Sequence, residues 1–196
     1  MNRLKRSDEL YARLQAIVSG GHKPLIIDAG ANIGASVVWF ASNYPHSHIV
    51  ALEPDVENFK VLRDNAKGLD VDLRNVAVGS VDGSVTLTDP GEGEWGYRTA
   101  IDSNGSCQLV SMNALVQEKM SEGYSPFIVK IDIEGGEDNL FEQQTDWVQQ
   151  FPILIIELHD WLLPGKNTSK AFLQCISRHD RDFIYIGENI FSLKNY

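Results

Sequence analysis

Apolar positions along the chain alternate between helical and strand spacing. Leu10, Leu14, Ile17 and Val18 recur at helical intervals within residues 5–18, and the serine and glycines of "SGG" then stop the helix. The run "LIIDA" reads as a buried strand, residues 34–43 as a helix, and "HIVALE" as a second strand. Residues 55–67 follow as a helix with Asp55 as its cap and Gly68 just past its end. The middle is less regular. "LRNVAVG" and "SVTLT" read as strands, 89–106 as a Gly-rich polar segment, and 112–121 as a helix. Alternation returns with the strand "FIVKIDI", the helical "GEDNLFEQQ", the strand "PILIIEL" and a helix over 168–179. The chain closes on a hairpin, "DFIYIG" and "IFSLK", around Glu188-Asn189.

Strand and helix in this order imply right-handed parallel units and an open, doubly wound α/β sheet. The hairpin adds an antiparallel last strand, which plain alternation does not produce. With 196 residues there is core for one domain, expected over 1–196: an N-terminal helix in 1–20, a core in 24–160, and the last helix with the hairpin in 168–196.

The formal net charge of -10 argues against a nucleic-acid partner, because phosphate binding draws on clustered Lys and Arg and only "NRLKR" resembles such a cluster. No apolar run is long enough to span a bilayer, and Cys107 and Cys175 match neither a disulfide framework nor a metal-ligand spacing. The expectation is a cytoplasmic protein with no membrane partner; the oligomeric state is left open.

In open parallel sheets ligands bind beyond the carboxyl ends of the strands. Those ends carry Asp28, Glu53, Asp132 with Glu134, and Glu157 followed by His159. Each acid alone could be a cap or a surface residue. Together they would repel one another unless something positive joined them. In "DAGANIG", Gly30 permits a turn with positive φ and close approach of a ligand, and Gly34 lets the next helix pack on the first strand. The turn is not G-x-G-x-x-G and carries no Arg or Lys, so a dinucleotide's phosphates fit it poorly. Glu53 suits the ribose of any nucleoside cofactor. The surplus of acid suits S-adenosylmethionine, whose methionine end carries an ammonium and a sulfonium.

"IIDAGANIG", "VALEPDVENFKVLRDN", "NVAVG", "VKIDIEGGEDNLF" and "LIIELH" stand in an order and at spacings that resemble the FkbM-type S-adenosylmethionine-dependent methyltransferases, over residues 24 to about 160. The resemblance implies a class I methyltransferase (Rossmann-like) sheet of seven strands ordered 3-2-1-4-5-7-6 with strand 7 antiparallel. It further implies that Asp28, Gly30, Ala31, Asn32 and Gly34 hold the methionine moiety, Glu53 with Pro54 the ribose, and Asn75, Val76 and Ala77 the adenine, with Asp132 near the sulfonium. The implied activity is O-methylation of a hydroxyl on a small molecule, sugar or glycan.

An alcohol must lose its proton during transfer, and His159 is the first candidate base, with Glu134 second; an exposed histidine after a strand is the ordinary alternative. Asp132, Glu134, Glu157 and His159 also offer ligands for a divalent metal such as Mg²⁺ or Mn²⁺. Lys130, inside its strand, could pair with a neighbouring acid. Trp95, Tyr97 and Arg98 in "DPGEGEWGYRT" form either an acceptor lid or a plain surface loop. Two other readings keep the architecture: a cofactor-binding module without catalysis, and a nicotinamide-dependent oxidoreductase.

Overall fold

The apolar blocks fold into a main sheet with helices on both faces. The structure, a computed structural model, describes residues 2–88, 98–101, 105–162 and 164–195. Its first half runs α1 (Asn2–Ser19), β1 (Lys23–Ala29), α2 (Ala35–Asn43), β2 (His48–Leu52), α3 (Val56–Asn65) and β3 (Val71–Arg74). Four strands come next, β4 (Ala77–Gly79), β5 (Gly83–Thr88), β6 (Arg98–Ile101) and β7 (Cys107–Ser111), and then α4 (Met112–Ser121). The remainder is β8 (Tyr124–Ile131), α5 (Glu137–Leu140), a 3₁₀ turn (Thr145–Gln150), β9 (Ile153–Glu157), α6 (Lys170–Ile176), β10 (Arg181–Ile186) and β11 (Asn189–Lys194).

The main sheet has seven strands in the order β3-β2-β1-β8-β9-β11-β10. Pairing is parallel from β3 through β9, while β11 runs antiparallel to both β9 and β10. Counted among that sheet's own members, the order is 3-2-1-4-5-7-6. Numbers along the chain differ because β4 to β7 build a second sheet, ordered β4-β7-β5-β6, which the expectation of one seven-stranded sheet did not include. Val85, Cys107 and Leu109 give it a small core of its own with Ala77.

Burial follows the pleat. In β1 every residue after Lys23 is buried, as in a central parallel strand covered on both faces. Leu25, Ile27 and Ala29 join a core with Trp147, Phe151 and Phe172, while Ile26 joins Phe40, Ile49 and Phe127 on the other face. Each buried Leu, Ile or Phe among them contributes about 1.5–3 kcal/mol by leaving water. Leu10, Leu14 and Ile17 of α1 pack on the second core, as their spacing predicts.

Two features place the strand ends. Asp55 caps α3, its Oδ1 accepting from the amides of Glu57 at 3.0 Å and Asn58 at 2.8 Å, so the chain turns sharply after β2. Arg181, buried at the start of β10, donates to the carbonyls of Phe151 at 3.1 Å and Ser192 at 2.9 Å. That tethers the terminal hairpin to the entry of β9, and burial lowers the guanidinium pKa to about 10. Among the described residues no helix is long and apolar enough to cross a membrane.

Candidate functional site

The turn after β1 is built by its glycines, for reasons that differ in part from those read in the sequence. Gly30 has φ 82°, and a Cβ there would lie 1.7 Å from the carbonyl oxygen of Asp132. The group that approaches the backbone is therefore the chain just past the end of β8. Gly34, at φ 89°, caps α2, and a Cβ there would meet Leu62 of α3 at 2.7 Å. It clears room for α3, whereas the sequence reading had it seat the helix on β1. Asn32 also adopts positive φ, 49°, a conformation Asn tolerates better than most residues.

Glu53, 5 % exposed, accepts from the amide of Asn32 through Oε2 at 2.8 Å and from that of Asp55 through Oε1 at 2.9 Å. Burial raises its pKa to about 7, against the pull of those two amides. Each oxygen keeps a second lone pair, so the carboxylate can still accept a pair of hydroxyls. Asn75 donates to the carbonyls of Glu53 at 2.8 Å and Pro54 at 3.0 Å, which fixes this loop; Val76 and Ala77 are buried beside it.

Asp28 is fully buried. Ser36 donates to its Oδ2, while Oδ1 has no hydrogen-bond partner among the described residues and lies 3.7 Å from Lys130 Nζ. Burial raises the Asp28 pKa, with Lys130 and Ser36 opposing. The ammonium of Lys130 also contacts Asp132 at 3.0 Å. Its pKa is raised, because the charges of Asp28 and Asp132 outweigh a burial cost that acts in the opposite direction. Lys130 therefore supplies part of the positive charge that the acidic ring requires.

The second half of the site forms where β8 and β9 end. His159 is 1 % exposed, contrary to the surface alternative, and its Nδ1 lies 2.8 Å from Glu137 Oε1. Its Nε2 faces Asp132 and Glu134 at 3.5 Å each and Glu157 at 3.7 Å. Burial disfavours the imidazolium, but the bond to Glu137 and the charges of Glu137, Glu134 and Asp132 prevail and raise the His159 pKa. Glu134 sits at φ 51°, and burial lifts its pKa to about 7, opposed by His159 and reinforced by Asp132. Ligand atoms of Asp132, Glu134 and His159 all lie within 4.8 Å of one another.

Glu137 escaped the sequence reading, which took it only as part of a helical run. It is 0 % exposed and opens the four-residue α5. A signal was present in "EGGE", where two glycines return the chain toward the strand end and carry the second acid back with it. The lid residues Trp95 and Tyr97 lie outside the described residues, and of Arg98 only the backbone in β6 is described. Both cysteines are buried free thiols.

A family model described as the methyltransferase FkbM domain matches residues 28–185. Hexuronic acid methyltransferase AglP of Haloferax volcanii is 25 % identical over 145 residues, 72 % of this chain and 58 % of that protein. The chain thus spans little more than half the length of this relative. Among solved structures, WbdD aligns over all of this chain and 40 % of its own, with a TM-score of 0.53 and 13 % identity. A further WbdD structure, described as a bifunctional kinase-methyltransferase, gives 0.52 at 13 % identity over all of this chain and 39 % of its own. At that identity the likeness establishes the fold alone.

Proposed function

Since this chain belongs to the FkbM methyltransferase family, we propose that it moves a methyl group from S-adenosylmethionine to a hydroxyl group of a sugar, glycan or secondary metabolite. The observation that carries this reading is the position of Asp132. Its carboxylate meets Lys130, and through it Asp28, on one side and His159 on the other, so the glycine-turn wall and the titratable cluster share one edge of the sheet. The hexuronic acid methyltransferase named above supports a sugar as acceptor.

The residues fit the cofactor. Asp28 Oδ1, buried and without a hydrogen-bond partner among the described residues, can receive an ammonium, and the spare lone pairs of Glu53 can receive ribose hydroxyls. Asn75 holds the loop beside which Val76 and Ala77 form an apolar wall suited to a planar base. When bound, the cofactor supplies an electrophilic methyl carbon on a sulfonium, which an acceptor oxygen must reach in line.

Glu134 is the better base and His159 its support, the reverse of the order expected from sequence. A histidine tied to Glu137 and surrounded by acids has its protonated form favoured, which makes it the poorer acceptor of a further proton. Glu134, with its pKa about 7 and its side chain partly open, can accept the hydroxyl proton near neutrality. The charged imidazole holds Glu134 in place and lowers its pKa.

His159→Ala tests this arrangement. Binding of S-adenosylhomocysteine is expected to stay intact while kcat falls and the acid limb of the pH profile moves to higher pH, because Glu134 loses the cation that stabilises its charge. Full activity with an unmoved profile would remove His159 from the account. A second reading takes Asp132, Glu134 and His159 as ligands of a divalent cation, favoured by their spacing and by Glu137 behind the imidazole. Turnover lost to a chelator and restored by Mg²⁺ would select it.

A further inference from the structure

The two edges of the main sheet differ in charge. β3, at one edge, carries Asp72 and Arg74, which pair with each other at 2.8 Å and with Lys119 and Glu118 of α4. Charges of that kind keep an edge from pairing with another chain. β10, at the other edge, holds four consecutive uncharged residues, Phe183 to Ile186, and three of them stand open to solvent: Phe183 by 43 %, Tyr185 by 70 % and Ile186 by 55 %. Its backbone is aimed outward as well. Asn195 donates its amide to the carbonyl of Asp180 at 3.0 Å, whereas the amide of Lys194 goes to Pro152 at 3.0 Å. Antiparallel alternation then turns the backbone groups of Asp182, Ile184 and Ile186 toward β11 and those of Phe183 and Tyr185 away from the sheet, where no described strand pairs with them.

From this edge we infer a second copy of the chain as the partner, its β10 paired antiparallel with this one about a two-fold axis at Phe183. The inference is independent of the methyl-transfer reading. Outward groups must meet outward groups, so only registers that set odd-numbered residues opposite odd-numbered ones form hydrogen bonds, and charge decides among them. Centring the pair on Asp182 sets that acid against its own copy. Centring on Ile184 sets Asp180 against Glu188, and centring on Tyr185 sets Asp182 against Glu188. Centred on Phe183, no two like charges face each other across the strands. Phe183 then meets the partner's Phe183 with the two Tyr185 rings alongside, an aromatic row that the two-fold axis makes self-complementary. Asp182 falls at the rim, where Asn195 donates to it at 3.4 Å. On the opposite face Ile184 and Ile186 border an apolar groove of about 290 Å³ that reaches Trp39 of α2, and the partner's Ile184 extends its floor. A chain of net charge -10 meets its own copy at least cost where charge is sparse, as it is here. The contact is small beside the roughly 800 Å² per partner of a standard interface, so the dimer is weak, with Kd on the order of 10 µM.

Sedimentation equilibrium of the full chain, at concentrations spanning about tenfold on either side of that Kd, tests the pairing. The average mass should rise from one chain to two and no further. Phe183→Pro removes the outward amide and the ring at the axis while sparing the ladder to β11, and Tyr185→Lys puts a charge on the edge; each should weaken association about tenfold or more. Val61→Lys, at another exposed apolar position on α3, which leads into the opposite edge strand, should leave association unchanged. Circular dichroism on the same samples separates lost pairing from lost folding, and Tyr185→Lys decides alone should the proline unfold the hairpin. A wild type that stays monomeric throughout, a species larger than two chains, a dimer that survives Tyr185→Lys, or one weakened equally by Val61→Lys would overturn the inference.

Discussion

Gly30→Ala will eliminate cofactor binding and destabilise the fold by about 3 kcal/mol or more. Two costs coincide at this position. The residue stands at φ 82°, where a Cβ is strained, and that Cβ would lie 1.7 Å from the backbone oxygen of Asp132. A backbone atom just past a central strand, in a residue whose amide is bonded to the carbonyl of Ala29, cannot swing aside as a side-chain tip can. Either the turn after β1 unfolds locally or β1 and β8 separate at their carboxyl ends, and both outcomes displace Asp28 from Lys130 and Asp132. Gly68→Ala is the control: φ is 83° there too, but nothing lies within 4 Å of the added carbon, so the expected loss is only about 1–2 kcal/mol. Thermal melts of the two variants, with S-adenosylhomocysteine titrations, check the difference. Equal effects would mean that the contact with Asp132 does not constrain the turn.

Glu134→Gln will lower kcat by about 10²–10⁴-fold while leaving S-adenosylhomocysteine affinity within about twofold of wild type. The amide keeps the shape of the side chain and removes its basicity. The same assignment fixes the pH dependence. The folded-state pKa of Glu134 is raised to about 7 from an ordinary value of 4.5, so the base form prevails above pH 7 and activity falls as pH drops through about 7. The sign for stability is opposite. A carboxyl whose pKa is raised by folding favours the folded state most when protonated, so Glu134 and Glu53 both withdraw stability as pH rises from about 4.5 through 7. Activity and stability should therefore move in opposite directions across that window, before other groups are considered. Turnover that stays flat from pH 5.5 to 8.5 would remove Glu134 as the base.

Much of this site was legible because a parallel sheet puts its ligand edge where each apolar run ends. "LIIDA", "HIVALE", "FIVKIDI" and "PILIIEL" each named a strand and, in the same letters, the acid at its mouth. Helices with local signals were equally readable: Asp55 caps α3 as its position predicts, and α4 spans Met112–Ser121 over the expected residues. What escaped depends on long-range partners. The span "GEDNLFEQQ" has helical spacing, yet α5 stops after Leu140, and residues 145–150 form a separate 3₁₀ turn that buries Trp147 and Val148 against the core. The strand β7 alternates buried and exposed residues over Cys107–Ser111 and was missed because it follows a polar segment and runs directly into α4.

The charges show the same limit more sharply. An acidic ring at the strand ends was visible, and its need for a cation was a sound inference. The pairing of Lys130, one residue before the end of β8, with a neighbouring acid was legible; that a buried imidazole held by Glu137 at 22 residues' distance in sequence stands with it was not. A buried carboxylate in a helical run looks like any solvated one until its partner is known. The surplus nevertheless persists: Asp28, Asp132, Glu134, Glu137 and Glu157 gather around Lys130 and His159. That imbalance is the physical ground for a cationic guest.

Calorimetric titration of S-adenosylhomocysteine into the wild-type protein and into Asp28→Ala tests the central claim most directly. The account predicts one site per chain in the wild type and its loss in the variant, because it assigns the ligand's ammonium to Asp28 Oδ1, which is buried and has no hydrogen-bond partner among the described residues. Absence of binding to the wild type, or undiminished binding to Asp28→Ala, would contradict it.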